Sequence, residues 1–458
     1  MADRMGGVPL PAIQALLETE TRRFAEARPK GRASAGPGLP GFHGGVPMHW
    51  MRDWPLPFPL LVERAEGATL WDADGIALAD FCLGDTGAMF GHSPPPVVRA
   101  VQAQVARGLT TMLPGPDARV VGALLRERFG LPRWQVAATA TDANRFALRV
   151  ARAVTGRPKV LVFNGCYHGT VDETFVRLID GRPAHRPGLL GQAVDLTANT
   201  RVVEFNDEAA LAEALSARDV ACVITEPVLT NCAMVLPQPG FLDAVRRMTR
   251  EAGTLLLIDE THTISTGPGG YTRAHGLEPD ILVVGKPIAG GVPAAVWGFT
   301  DDVGERLDAA RAELPPGHSG MGTTLSANAL ALAAMRATLE EVATPDAYRH
   351  MEALAARLES GLNAVIARHG LPWHVARVGA RAELVFTPEP LLNGGQAEAL
   401  DVHPLEQVLH LALLNRGFLV TPFHSMMLCC PATTADQVDG LCTAVADVVE
   451  ALATGGAA

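Results

Sequence analysis

Residues 254–291 read TLLLIDETHTISTGPGGYTRAHGLEPDILVVGKPIAGG. Two short apolar runs in this stretch, Thr254–Ile258 and Ile281–Val284, each end in residues that carry chemistry. Asp259-Glu260-Thr261-His262 follows the first, and Gly285-Lys286-Pro287-Ile288-Ala289-Gly290-Gly291 follows the second. Short apolar runs bounded by turn-forming residues read as buried strands. Further out, Lys159–Phe163 (KVLVF) and Val220–Thr225 (VACVIT) have the same character, and amphipathic stretches at Asn144–Val154 and Phe241–Ala252 lie between such runs. Strands alternating with helices predict an α/β fold: a mostly parallel central sheet with helices on both faces, plus a smaller α/β domain. Ligands of such sheets sit beyond the carboxyl ends of the strands, so the residues after each run are the first candidates for a site.

Asp259 follows a buried strand. A carboxylate there is costly unless a cation or a hydrogen-bond donor meets it. A protonated pyridine nitrogen would serve; so would a helix N-terminus, with Asp259 as its cap. Lys286 follows the next strand within a loop of small residues, where partial desolvation lowers an amine's pKa and frees it for attack on a carbonyl. The chain has only three lysines, Lys30, Lys159 and Lys286. Lys30 lies in an Arg/Gly/Pro-rich arm and Lys159 at a strand start, so both read as solvated.

Ala138-Thr139-Ala140-Thr141-Asp142-Ala143 runs into the helix at Asn144–Val154. Its backbone N–H groups suit a phosphate, and its hydroxyls suit capping equally well. Thr324, before a second helical stretch, has the same two readings. Tyr167, in Phe163-Asn164-Gly165-Cys166-Tyr167-His168-Gly169, can stack on a flat ring or pack in its loop. Asn231, in Glu226-Pro227-Val228-Leu229-Thr230-Asn231, can donate to a phenolate oxygen or form a turn.

With 458 residues and a net charge of −11, the chain has the size for a large core, and its charge argues against a nucleic-acid partner. Seven scattered cysteines without C-x-x-C spacing argue against a disulfide framework or a structural metal. No basic segment followed by an apolar one opens the chain, and no apolar run reaches membrane length. A soluble cytoplasmic enzyme is the expectation. Residues 11–28 read as an amphipathic helix, 29–48 as an irregular arm, and 60–82 as a hairpin around Asp74-Gly75. The pattern divides into an arm and hairpin (1–85), a large domain (86–325) and a C-terminal small domain (326–458). His49–Trp54 can supply an aromatic wall, and Arg381 a carboxylate contact or a salt bridge. Thr454–Ala458 reads as loose.

From about residue 60 to residue 431, the order and spacing of these motifs resemble the class III aminotransferases of the fold type I pyridoxal 5′-phosphate (PLP) enzymes. The similarity is greatest to the branch that holds glutamate-1-semialdehyde aminomutases and related transaminases. The resemblance implies PLP as cofactor, with Lys286 as the Schiff-base lysine and proton carrier and Asp259 on the pyridine nitrogen. Tyr167 would stack on one ring face and Thr261 pack on the other. Ala140 and Thr141 would hold the phosphate, with Thr324 reaching in from the second subunit of a homodimer with shared sites. Asn231 and His262 would lie near the phenolic oxygen. The chain departs from the family at Ala140, where Gly is usual, and at Thr261, where Val is usual. In Pro422-Phe423-His424-Ser425-Met426-Met427, a Met falls where aminomutases carry an acid. The expected activity is a ping-pong transaminase acting on a small-molecule amino donor and a carbonyl acceptor. An intramolecular aminomutase is the alternative, and a non-catalytic PLP-binding protein on the same fold is a more distant one.

Overall fold

The computed structural model describes residues 4–317 and 319–454. Of the loose tail expected at Thr454–Ala458, residues 455–458 lie outside the described residues.

The chain forms two compact units. The larger comprises Pro95–Pro345 and Leu391–Ala399. The seven strands of its main sheet are β1 (Arg133–Ala137), β2 (Lys159–Phe163), β3 (Thr200–Val203), β4 (Val220–Thr225), β5 (Leu255–Asp259), β6 (Ile281–Val284) and β7 (Ala295–Phe299). They lie side by side in the order β3-β2-β4-β5-β6-β7-β1. Pairing is parallel from β3 to β6, and β7 is antiparallel to both β6 and β1. Every residue of β4, β5, β6 and β7 is buried. This explains why these strands read as continuous apolar runs rather than alternating ones: a parallel sheet covered on both faces has no wet side.

Helices fill the crossovers. Helix α1 (Ala140–Thr155) buries Ala143, Phe146, Ala147, Leu148, Val150 and Ala151 along one stripe, and Gly156 ends it at φ 67°. Helix α2 (Phe241–Ala252) has the bounds expected from its sequence and ends in the same way, at Gly253 with φ 66°. The strand expected at Thr254–Ile258 runs one residue later, at Leu255–Asp259. The Thr254 hydroxyl instead donates to Val220 O, 3.0 Å away.

The second unit comprises the described parts of Met1–Pro94, Asp346–Pro390 and Leu400–Ala458. Compactness thus divides the chain near 94/95 and 345/346, later than the composition shifts at 85 and 325. The reason is that helix Ala329–Ala337 buries its Ala, Leu and Met side chains within the larger unit. The smaller unit holds the hairpin, with Thr69–Asp72 antiparallel to Val62–Glu66 and Ala77–Asp80. Phe418–Leu419 adds to Ala77–Asp80 in parallel. A second sheet pairs Arg381–Val385 with His374–Val378 and Met426–Leu428. Helices Leu10–Ala27, Pro345–His369, His403–Asn415 and Ala435–Ala453 supply most of its core, including Leu16, Leu358, Leu409 and Leu441. Each such fully buried aliphatic side chain contributes about 1.5–3 kcal/mol.

The arm at 29–48 is more ordered than its composition suggests, because Pro29–Ala35 is helical. Asp74 Oδ1 and Oδ2 accept from the N–H groups of Lys30 and Gly31 at 2.8 Å each, satisfying the first turn from a distant hairpin. The buried Arg28–Asp72 ion pair, at 2.9 Å, anchors the same junction. Among the described residues, no helix is long and apolar enough to cross a membrane.

Candidate active site

The carboxyl ends of β4, β5 and β6 are level with one another, with Thr225 opposite Ile258 and Asp259 opposite Val283. Glu226, Asp259 and Gly285-Lys286 therefore emerge from three adjacent strand ends. Lys286 adopts φ 39°. That left-handed conformation is strained for a long side chain, and such strain gathers at functional positions. Pro287 and a single turn at Lys286–Ala289 follow. Gly285 is required for close approach: a Cβ there would lie 2.7 Å from Ala140 Cβ and 3.4 Å from Thr261 Oγ1. The lysine loop, the start of α1 and the loop after β5 meet at this glycine.

Asp259 is buried and accepts four hydrogen bonds. Oδ2 takes Asn144 Nδ2 at 2.8 Å and His168 Nδ1 at 3.0 Å; Oδ1 takes the Thr261 N–H at 3.1 Å and the Thr261 hydroxyl at 2.6 Å. Burial alone would raise the Asp259 pKa. The hydrogen bond and charge of His168, with the Thr261 and Asn144 donors, outweigh it and hold the carboxyl below its ordinary value. Burial likewise opposes the charged form of His168, but the Cys166 sulfur and the Asp259 carboxylate raise it to about 10. Asp259 is therefore an anion held inside the protein. It is not a helix cap: the turn that follows is Thr263–Thr266, with His262 before it. The neighbouring Glu260 has a different task. Its carboxyl accepts from the Thr263 hydroxyl at 2.5 Å, from the Tyr271 N–H at 3.1 Å and from the Thr272 N–H, tying down the 261–272 loop.

Lys286 Nζ is hydrogen-bonded to His262 Nε2. His262 Nδ1 lies 2.5 Å from Thr230 Oγ1, which lies 2.5 Å from Glu226 Oε2. Asn231 Nδ2 approaches the same hydroxyl at 3.5 Å.

At the start of α1, Thr139 is the cap and accepts from the Asp142 N–H at 3.1 Å. Ala140 and Thr141 are thus the first helical residues, whose N–H groups have no partner within the helix. The Thr141 hydroxyl accepts from the Thr170 N–H at 3.1 Å, which leaves its own proton for donation. A Cβ at Gly169 would collide with the Thr141 side chain, so this loop also closes over the helix start. Tyr167 is exposed and directly precedes the buried His168. Thr324 is exposed; the cap of the following helix is Asn328, which accepts from the Ala331 N–H at 2.9 Å. Thr324 takes no part in the hydrogen bonds around Asp259. Arg381, in the smaller unit, is fully buried and donates to Thr86 Oγ1.

The structure thus brings together Lys286, Asp259, Thr261, His262, Asn231, Ala140 and Thr141. It adds Asn144, His168, Thr230 and Glu226, which have no role in the reading of the sequence. Glu226 was open to the same argument as Asp259, being an acid directly after a buried strand. Asn144 and His168 carry no comparable local signal.

The family model for aminotransferase class-III matches residues 51–449. A glutamate-1-semialdehyde 2,1-aminomutase of Thermomicrobium roseum is 35% identical over 369 residues, covering 80% of this chain and 84% of that protein. The crystal structure of a glutamate-1-semialdehyde-aminomutase from Pseudomonas aeruginosa PAO1 is 50% identical, with a TM-score of 0.95, over 97% of this chain and 100% of that one. A K286A variant of the Pseudomonas enzyme has been solved in complex with PMP. A beta-phenylalanine aminotransferase from Variovorax paradoxus is 28% identical, with a TM-score of 0.83, over 96% of this chain and 97% of that one.

Proposed function

Because the chain belongs to the class III aminotransferases, PLP-dependent enzymes of fold type I, we propose that it moves an amino group from an amine or amino-acid donor to a separate carbonyl acceptor, with Lys286 as the working amine. The observation that carries this reading is the placing of Asp259, its pKa held below the ordinary carboxylate value, and Lys286 at neighbouring strand ends. When bound, PLP supplies an aldehyde that takes up the amino group and a ring that accepts the electron pair left on the donor carbon.

The residues fit that group. Asp259, kept anionic by His168, would hold the proton on the ring nitrogen. The N–H groups of Ala140 and Thr141, at the positive end of a sixteen-residue helix, would hold the phosphate. Thr261 and Tyr167 would flank the ring, and His262 and Asn231 would stand at its phenolic oxygen. Lys286 Nζ would hold the cofactor at rest, then carry the proton from the donor carbon as general base. The Pseudomonas relative with PMP has its lysine of the same number replaced, in keeping with this assignment.

A homodimer with shared sites completes the proposal. Leu325, which follows Thr324 in the chain, and Met112 and Leu113 are large exposed apolar side chains, and the Ala329 N–H bonds to Leu109 O, linking the 109–113 and 325–329 segments. A second copy would cover that surface and bring in its own Thr324.

One other reading has specific support. The Thermomicrobium and Pseudomonas relatives are named as glutamate-1-semialdehyde aminomutases, enzymes that return the amino group to the same molecule. Stoichiometry separates the two. Under the transaminase reading, a donor alone gives one carbonyl product per site and stops until an acceptor is added. Catalytic isomerisation of glutamate 1-semialdehyde with no acceptor present would instead establish the aminomutase.

A further inference from the structure

Glu226 is a buried carboxyl with no part in the chemistry above, yet it stands at the end of a hydrogen-bonded row leading to Lys286. The row runs Glu226 Oε2, Thr230 Oγ1, His262 Nδ1, His262 Nε2, Lys286 Nζ. Thr230 has one hydroxyl proton and two partners at 2.5 Å. If it donates to Glu226, it must accept from His262 Nδ1–H, and Nε2 then faces Lys286 with a lone pair. If Glu226 carries a proton and donates it to Thr230, the hydroxyl donates to Nδ1, and Nε2–H faces Lys286. With His262 neutral, the row has these two orientations, and the state of Glu226 selects between them.

We propose that Glu226 is a neutral carboxylic acid which, through Thr230, fixes His262 in the tautomer whose Nε2–H donates to Lys286, so that the amine rests neutral and nucleophilic. An ammonium has no lone pair to accept that bond, so a donor placed there favours the free amine. Several features favour the neutral acid. Burial pushes the Glu226 carboxyl up and the Asp259 charge acts in the same direction; the charge on His168 and the Thr230 hydrogen bonds oppose them without reversing the shift. Glu226 Oε1 is buried and has no hydrogen-bond partner among the described residues, a penalty that falls hardest on an ionised carboxylate. The Thr230 N–H, 3.2 Å from Oε2, fixes the side chain in place. Glu226 and Thr230 are positioning residues, since they reach the amine only through His262.

The inference rests on Lys286 being the amine that takes the cofactor, so its test reads the amine alone. Apoprotein is pulsed with acetic anhydride across a pH series, and acylation at each of the three lysines is followed by peptide mass. Lys30, which is exposed, serves as the internal standard. Thr230→Val should raise the pH midpoint for Lys286 by about one unit, slowing its acylation at neutral pH about tenfold. Thr230→Ser should restore the midpoint. Glu226→Gln should leave it unchanged, because an amide N–H replaces the acid proton as donor to Thr230. Lys30 should not respond to any of them. An unshifted midpoint in folded Thr230→Val overturns the proposal. So does a shift in either direction in Glu226→Gln, which would mark Glu226 as an ionised acceptor. If Glu226→Gln fails to fold, the two Thr230 variants decide the matter. Should the cofactor prove to be linked to Lys30 or Lys159, the functional reading fails, while the acylation midpoints still decide the orientation of the row.

Discussion

Replacing Asp259 with Asn removes one of the two groups that, with the Cys166 sulfur, hold His168 protonated inside the protein. His168 is raised from 6.5 to about 10, against its own burial, by the Cys166 sulfur and Asp259. A group whose folded pKa is raised contributes stability that is fully present below its unfolded pKa and is lost as the pH climbs through the folded one. The window is therefore from about pH 6.5 to about pH 10. At pH 7, three of those pH units remain, worth about 4 kcal/mol at 1.36 kcal/mol per unit, and removal of one partner of a buried pair costs a similar amount. Asp259→Asn removes only the Asp259 share of that, the Cys166 sulfur supplying the rest, so the apoprotein should be destabilised by at most about 4 kcal/mol at pH 7, and by much less at pH 10, where His168 is losing its proton in the wild type as well. The assay is the thermal midpoint of both apoproteins from pH 6 to pH 10. A gap between them that does not narrow with rising pH would refute the account of how Asp259 is kept ionised.

Other expectations are independent of that pair. Gly285→Ala places a methyl group 2.7 Å from Ala140 Cβ and should weaken PLP affinity at least about tenfold in an equilibrium titration. In the smaller unit, Glu406 is pushed from 4.5 up to about 7 by burial and the Glu383 carboxylate, with His424 opposing. Its raised pKa means that stability is lost as the pH rises from 4.5 to 7. Glu406→Gln should therefore stabilise the protein at pH 8, by about 3 kcal/mol at most, and do nothing at pH 4; denaturation at both pH values checks this. The chain should sediment as a dimer, and Met112→Asp, at an exposed apolar position, should shift it toward monomer with loss of activity. A monomer with full activity would rule out shared sites.

What could be read in the sequence was whatever burial alone dictates. Val220–Thr225 and Ile281–Val284 form strands because a parallel sheet covered on both faces needs unbroken apolar runs, and Asp259 and Lys286 stand out because a charge at the end of such a run requires a reason. The partners of those charges were hidden. Asn144 is 115 residues from Asp259 and His168 is 91, so only the folded chain puts them within 3.0 Å. The helix at Pro29–Ala35 was hidden for the same reason: its first turn is satisfied by Asp74, more than 40 residues away. Thr139 and Thr141 were ambiguous because a hydroxyl at a helix start suits a cap and a phosphate alike. Geometry separates them, one as the cap and the other as part of the open first turn.

Lys286, alone of three lysines, should carry the cofactor. Borohydride reduction of the PLP-loaded protein, followed by digestion and peptide mass, tests it directly. The added mass of the reduced cofactor should appear on the peptide that contains Lys286 and be absent from Lys286→Ala. Reduced cofactor on Lys30 or Lys159 in the wild-type protein would contradict it.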